Sequence, residues 1–121
     1  MTKGVRSYRD LLVWQLGIEL AAEINQIVGT FPNHERYGLA DQLRRSAISV
    51  PSNIAEGQAR QHTNEFRQFL YIALGSLAEV DTQVEIARRF GYCDSERANK
   101  IAEQISELRK MLYGLIAKLP D

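Results

Sequence analysis

The chain has 121 residues, enough for one domain with a single hydrophobic core and too few for two. Hydrophobic residues make up 45% of it and charged residues 25%, as in an ordinary globular protein. Fifteen basic and fifteen acidic residues give zero formal charge, so the composition excludes the strong cationic field of a dedicated nucleic-acid binder.

Apolar residues recur at helical spacing along the first half of the chain. The first stripe predicts a helix from about Asp10 to Gly29 and consists of Val13, Leu16, Leu20, Ile24 and Ile27. The run Phe31-Pro32-Asn33 then interrupts the pattern. A second stripe predicts the next helix and consists of Leu39, Leu43, Ala47, Val50 and Ile54. Because Pro51 lacks an N–H and its ring crowds the preceding turn, we expect a kink in this helix.

The second half carries two heptad-like seams, the pattern of helices packed at shallow angles. The third helix has Phe66, Leu70, Ala73, Leu77, Val80, Val84 and Ala87 on its seam. The fourth has Ala98, Ile101, Ile105, Leu108, Leu112, Leu115 and Leu119. We expect Thr63 to cap the third helix and Gly91 to end it in the left-handed conformation. Asp94 or Ser95 is expected to cap the fourth, which Pro120 closes.

The connections at residues 30–34 and 91–94 are only a few residues long, which favours antiparallel neighbours. No alternating strand pattern competes with the helical one. The predicted fold is therefore all-α, an antiparallel up-down-up-down four-helix bundle with a kinked second helix, and residues 1–121 form one domain.

Several large apolar residues lie off these seams. They are Trp14, Ile18, Tyr71, Leu74, Tyr113 and Ile116. Scattered surface hydrophobes are normal in globular proteins, so these residues do not require a function. Aromatic residues on the outer face of a bundle are also what subunit contacts use, and we therefore interpret the set as a candidate oligomer interface.

A polar stripe runs beside the apolar seam of the second helix. It consists of Gln42, Arg45, Ser49, Asn53 and Glu56. The third helix offers a counterpart in Ser76, Glu79 and Gln83, and antiparallel packing would bring the two stripes together. We interpret the set as a helix–helix network that gives register and specificity. A ligand or nucleic-acid site is the alternative interpretation.

Four arginines, Arg44, Arg45, Arg60 and Arg67, lie around this region and are the candidate nucleic-acid contacts. Nearby acidic residues weaken their field, which favours a solvated face of mixed charge in a single subunit. Around a closed ring, however, symmetry would repeat the arginines and let several engage a phosphate backbone at once.

Catalytic and metal-binding motifs are mostly absent. The composition leaves Ser-His-Asp chemistry open, but the sequence has no nucleophile elbow. Neither His34 nor His62 has the carboxylate three residues earlier that di-metal bundles use, and there is no HExxH, Walker loop or GxGxxG. Cys93 has no CxxC partner or basic cluster to activate it, so we interpret it as a small turn residue. We expect no enzyme, metal or cofactor. A solvent-exposed pocket lined by Arg45, Asn53 and Glu56 would favour an enzyme.

No stretch approaches the ~18 apolar residues of a membrane span, and the N-terminus lacks the apolar run of a signal peptide. We therefore expect a cytoplasmic protein that has no membrane partner.

Four strings point to a known family. They are YRDLLVWQ at residues 8–15, FPxxERYGLxxQLRRSAISVPSNIAEG at 31–57, FLYIALGSLAEV at 69–80 and RKMLYGLIAKL at 109–119. They closely resemble the bacterial four-helix-bundle family whose first members were noticed as reading frames in intervening sequences of 23S ribosomal RNA genes. The likeness covers nearly the whole chain.

This resemblance implies an antiparallel bundle that assembles into a ring, commonly a homopentamer. It also implies a link to nucleic acid, because a related branch serves as an accessory to diversity-generating reverse transcriptases. The zero net charge departs from the strongly basic character of that branch. We expect a non-enzymatic ring that contacts RNA or DNA through repeated arginines, with a protein-interaction scaffold as the alternative.

Overall fold

A computed structural model describes residues 6–121, and this part of the chain is all-helical, without a β-strand. It contains four α-helices, α1 (Leu12–Val28), α2 (Leu39–Ala59), α3 (Thr63–Arg89) and α4 (Ser95–Lys118). Short 3-10 helices at Tyr8–Asp10 and Asn33–Glu35 precede α1 and α2. The predicted fold class, four helices and no sheet, is confirmed.

The four helices occupy the corners of a bundle. α2 packs against α1 and α3, and α4 packs against α3 and α1, while the diagonal pairs lie apart throughout residues 6–121. Ser46 of α2 meets Gln83 of α3, and Ser49 meets Ser76, so the contacts run in reverse order and this pair is antiparallel. α2 continues as an α-helix through Pro51. The up-down order of all four helices and the kink at Pro51 stay predictions.

The hydrophobic core sits between the four helices and contains almost all of the predicted seam residues. Ile116 is the correction, because it is buried in the core although its position off the predicted seam assigned it to the outer face. Leu115, which was placed on the seam, is only half-buried. A straight α-helix drifts by about 20° per heptad against a strict seven-residue repeat, so the last turn of α4 buries the next residue along.

Three helix ends test the predicted caps. Gly91 has φ +82° after α3, as expected for a left-handed cap. The Asp94 side chain accepts a hydrogen bond of 2.8 Å from the Arg97 N–H and caps α4. The predicted Thr63 cap is wrong. Thr63 is already the first residue of α3, and the extended residue before it, His62, supplies no side-chain cap.

Two glycines let helices approach closely. A Cβ at Gly17 would lie 3.2 Å from Cβ of Pro51, where α1 crosses α2. A Cβ at Gly57 would lie only 2.5 Å from Cβ of Phe69, where α2 meets α3. Glycine at these positions therefore sets the spacing of α2 from both of its neighbours. No helix in the described part of the chain has the length and apolar character needed to cross a membrane.

Candidate functional site

A polar groove runs along the contact between α2 and α3. Ser46 Oγ donates to Gln83 Oε1 at 2.7 Å, and the hydroxyls of Ser49 and Ser76 lie 2.8 Å apart. Asn53 Nδ2 donates to both the hydroxyl and the carbonyl oxygen of Ser49, each at 2.8 Å. Ser46 and Ser76 are buried, so these bonds satisfy hydroxyl groups that water does not reach freely. Ser49 of the predicted α2 stripe therefore contacts Ser76 of the predicted α3 stripe.

The groove encloses about 310 Å³, and Gln42, Arg45 and Glu79 line it together with the serines and Gln83. Arg45 lines this space, and Asn53 and Glu56 do not. The predicted polar stripe did not include Ser46. This residue lies four positions after Gln42 and three before Ser49, and these steps match the spacing of the stripe.

The structure separates the four candidate arginines. Successive helical residues are about 100° apart, so Arg44 and Arg45 lie on different faces of α2. Arg45 lines the polar groove, and its side chain is 79% exposed, while Arg44 is half-buried. Arg60 and Arg67 lie at the far end, at the end of α2 and the start of α3, about 22 Å along the helix from Arg45. They do not form one patch.

Three of these arginines already have partners. Arg45 Nε pairs with Asp41 at 2.9 Å, and Arg60 pairs with Glu56 at 2.8 Å and with Glu65 at 3.1 Å. The hydrogen bonds that Arg60 donates to Glu56, and then to Glu65, raise the pKa of Arg60 above its ordinary value.

Arg67 donates to Asn64 Oδ1 at 2.8 Å and to the carbonyl oxygen of Pro120 at 2.6 Å. It therefore ties the start of α3 to the end of α4. Because Arg45, Arg60 and Arg67 have these partners, their attraction for a phosphate backbone is weaker than that of three unpaired arginines.

An apolar groove follows the outside of the α1–α2 contact. It encloses about 300 Å³, and its walls include Trp14, Ile18, Ile48 and Pro51. Trp14 packs against Tyr8 with 5.5 Å between ring centroids, and the Arg9 guanidinium lies 5.2 Å from the Trp14 ring centroid. Ile48 is 52% exposed but was not among the predicted interface residues. In the sequence it lies among the polar positions of α2 and does not belong to the apolar seam.

The other predicted interface residues lie on α3 and α4. Tyr71 and Tyr113 are half-exposed, and Leu74 is half-buried against the core. The Arg67–Pro120 contact joins the start of α3 to the end of α4; Tyr71 lies four residues after Arg67, and Tyr113 lies seven residues before Pro120. Ile116 faces the core and is not available on this face.

A further cluster, at the opposite end from Arg67, joins the α1–α2 and α3–α4 connections. Tyr92 donates to Glu35 Oε2 at 2.8 Å, and Glu35 Oε1 accepts from the Leu39 N–H at 3.1 Å at the start of α2. These bonds lower the pKa of Glu35, and the bond to the carboxylate raises the pKa of Tyr92. Sequence reasoning missed this cluster because its residues are 57 positions apart.

Two chemical features bear on catalysis. Burial raises the pKa of the Cys93 thiol, which keeps the sulfur protonated and weakly nucleophilic. Within residues 6–121, no group of three or more His, Cys, Asp or Glu side chains is placed to hold a metal ion.

Comparisons with known proteins identify the family. The model of the family described as 23S rRNA-intervening sequence protein matches residues 9–114. A solved structure from Bacteroides thetaiotaomicron, described as a protein of unknown function from the S23 ribosomal protein family, is 25% identical with a TM-score of 0.80. The alignment covers 87% of this chain and 98% of that one. No curated protein matches the chain. With the family model spanning most of its length, the chain belongs to the 23S rRNA-intervening sequence protein family.

Proposed function

We propose that the protein is a non-catalytic module that assembles with copies of itself into a closed ring. The observation that carries this proposal is the apolar surface left outside a well-filled core. Ile18 and Ile48 border the α1–α2 groove, and Tyr71 and Tyr113 project from α3 and α4. Large exposed apolar residues that cluster on helix faces are typical of protein–protein contacts.

The positions of these two surfaces favour a head-to-tail contact. The apolar groove lies on α1 and α2, and the two tyrosines lie on α3 and α4, so the two surfaces belong to different helix pairs of the bundle. A two-fold dimer that used one surface would leave the other exposed. A heterologous contact between the groove of one copy and the tyrosine face of the next covers both, and such contacts form a ring when the rotation from one copy to the next closes. The family resemblance favours five subunits.

Mixing two blocked variants tests this arrangement. Ile48→Glu would block the groove and Tyr113→Glu the tyrosine face, so each variant alone is expected to be monomeric by multi-angle light scattering. Mixed in equal amounts, they retain one intact pair of surfaces and should form a one-to-one heterodimer. Asn99→Glu, on the exposed surface of α4 about 21 Å along the helix from Tyr113, is the matched control and should assemble normally. Assembly by both single variants would contradict the proposal.

Nucleic-acid contact is the second candidate function. The exposed guanidinium of Arg45, beside a groove with amide and hydroxyl groups, supports it. Labelled structured RNA and single-stranded DNA, titrated at two salt concentrations, should bind more weakly at the higher salt. Arg44→Gln and Arg45→Gln should lower affinity and leave the solution mass unchanged. If no nucleic acid binds at low salt, the protein-interaction scaffold remains.

A further inference from the structure

The end of the bundle where the α1–α2 and α3–α4 connections meet carries three exposed rings. Tyr37 is 85% exposed, Phe90 is 60% exposed, and the His34 side chain is 72% exposed. A phenylalanine that stays in water does not gain the free energy of burial. Large rings grouped at one end of the bundle also differ from the single apolar residues that are scattered over an ordinary protein surface. These three rings are not part of the hydrophobic core.

A fixed framework holds two of these rings in position. Tyr92 lies at its centre, with its ring 5.3 Å from that of Phe31, 5.6 Å from that of Phe90 and 6.2 Å from that of His34. The Phe90 and His34 rings both meet Tyr92 edge-on. Because the Tyr92 hydroxyl donates to Glu35, it accepts from His34 Nε2 at 3.2 Å. Phe90 and His34 are thus oriented by packing and hydrogen bonds while much of each ring stays open to solvent.

Guanidinium groups accompany the rings. Arg36 places its Cζ 5.5 Å from the centroid of the Tyr37 ring. Arg88 and Arg89 directly precede Phe90 and share the single carboxylate of Glu85, at 2.8 and 2.9 Å. At the end of α3 two positive charges therefore share one negative charge, and the Glu35 carboxylate at the same end is bonded to Tyr92. The Arg89 side chain remains 73% exposed, so its outer N–H groups can reach a further anion.

Exposed rings beside guanidinium groups complement one kind of partner. Unpaired nucleobases stack on aromatic rings, and the phosphates that link them pair with arginine. Bases inside a duplex are already stacked and do not offer their faces.

We propose that this end of the bundle binds single-stranded nucleic acid. Phe90 and Tyr37 stack on unpaired bases, and Arg36 and Arg89 contact the flanking phosphates. The site is separate from Arg44 and Arg45 and from the surfaces proposed for assembly, so it stands whether or not those proposals hold.

Fluorescence anisotropy at low salt tests this site. The probes are a fluorescein-labelled 12-nucleotide RNA of mixed sequence and the same strand annealed to its complement. Phe90→Leu and Tyr37→Leu keep an apolar side chain but remove the ring. Each is expected to weaken single-strand binding roughly five- to hundredfold. Leu12→Ala, which shortens an exposed apolar side chain at the start of α1, outside the surfaces proposed for assembly, is the control and should bind as the unaltered protein does.

Four results would overturn this site. They are equal affinity for single strand and duplex, no binding at low salt, an equal effect of Phe90→Leu and Leu12→Ala, and a change in solution mass caused by Phe90→Leu. The last result would make Phe90 a subunit contact. If the unaltered protein is monomeric and Phe90→Leu still weakens single-strand binding, the ring proposal is wrong and the proposal for this site is retained.

Discussion

Replacing Gly57 by alanine is expected to destabilise the fold, although alanine is the better helix former. The new Cβ would lie 2.5 Å from Cβ of Phe69 and 3.2 Å from Cδ1 of Phe66. The Phe69 Cβ is attached directly to the backbone, so α3 itself must shift to relieve the overlap. Overpacking of this kind costs about 1–3 kcal/mol, and because the overlap is deep the upper end applies.

The intrinsic gain of alanine over glycine in a helix is about 1 kcal/mol and offsets part of this cost. The free energy of unfolding of Gly57→Ala should therefore fall by about 2 kcal/mol. Gly75→Ala is the matched control, since within residues 6–121 no heavy atom outside the adjoining turns of α3 lies within 4 Å of its added Cβ, and the residue is also inside a long helix. That variant should gain up to about 1 kcal/mol, so the two alanine variants should differ by about 3 kcal/mol.

Urea unfolding followed by circular dichroism at 222 nm measures this difference. All proteins should be compared at the same protomer concentration, because assembly would add to the apparent stability. A Gly57→Ala protein as stable as the unaltered chain would refute the close contact between α2 and α3. Equal stability of the two alanine variants would show that the spacing of these helices does not depend on Gly57.

Three further perturbations probe the hydrogen bonds and charges. Ser49→Ala and Ser76→Ala should each lower the free energy of unfolding by about 1–3 kcal/mol. In a double-mutant cycle the double variant should lose less stability than the sum of the two single variants. Strict additivity would mean that the two hydroxyls do not interact. Hydrogen bonds from Arg88, and then from Arg89, lower the pKa of Glu85 from 4.5 to about 2. The stabilisation from this ionised carboxylate is present above pH 4.5 and is lost as the pH falls towards 2. Carboxyl NMR titration should therefore show a Glu85 pKa that rises on Arg88→Gln, and an unchanged value would exclude that pairing. Asp94→Ala should cost about 1 kcal/mol through loss of the α4 cap, with a result within error of zero counting against it.

Helix positions and most of the core follow from periodicity alone. Burial repeats with the helical turn, so the apolar stripes of α1 to α4 mark the faces that pack inward. Ile116 escaped this logic because the true helical period differs slightly from the heptad, and the error accumulates towards the end of a long helix. The caps at Gly91 and Asp94 could be predicted because each depends on residues close by in the sequence. Gly91 adopts a positive φ, and the Asp94 side chain accepts a hydrogen bond from the Arg97 N–H.

The candidate sites were less predictable because they depend on contacts between distant residues. The polar stripes of α2 and α3 could be predicted, since each repeats along its own helix. Adjacent Arg44 and Arg45 look like a pair in the sequence, yet the helix turns them to different faces. The contact of Tyr92 with Glu35 joins two connections whose approach is decided only by the packing of the whole bundle.

The exposed apolar surfaces are the reason for proposing assembly, and the mass of the protein in solution tests that claim most directly. Multi-angle light scattering at micromolar protomer concentration should give a mass several times the 13.8 kDa of one chain, with five copies favoured by the family resemblance. A mass of 13.8 kDa at that concentration would contradict the ring and leave the apolar groove and tyrosine face without a second copy to cover them.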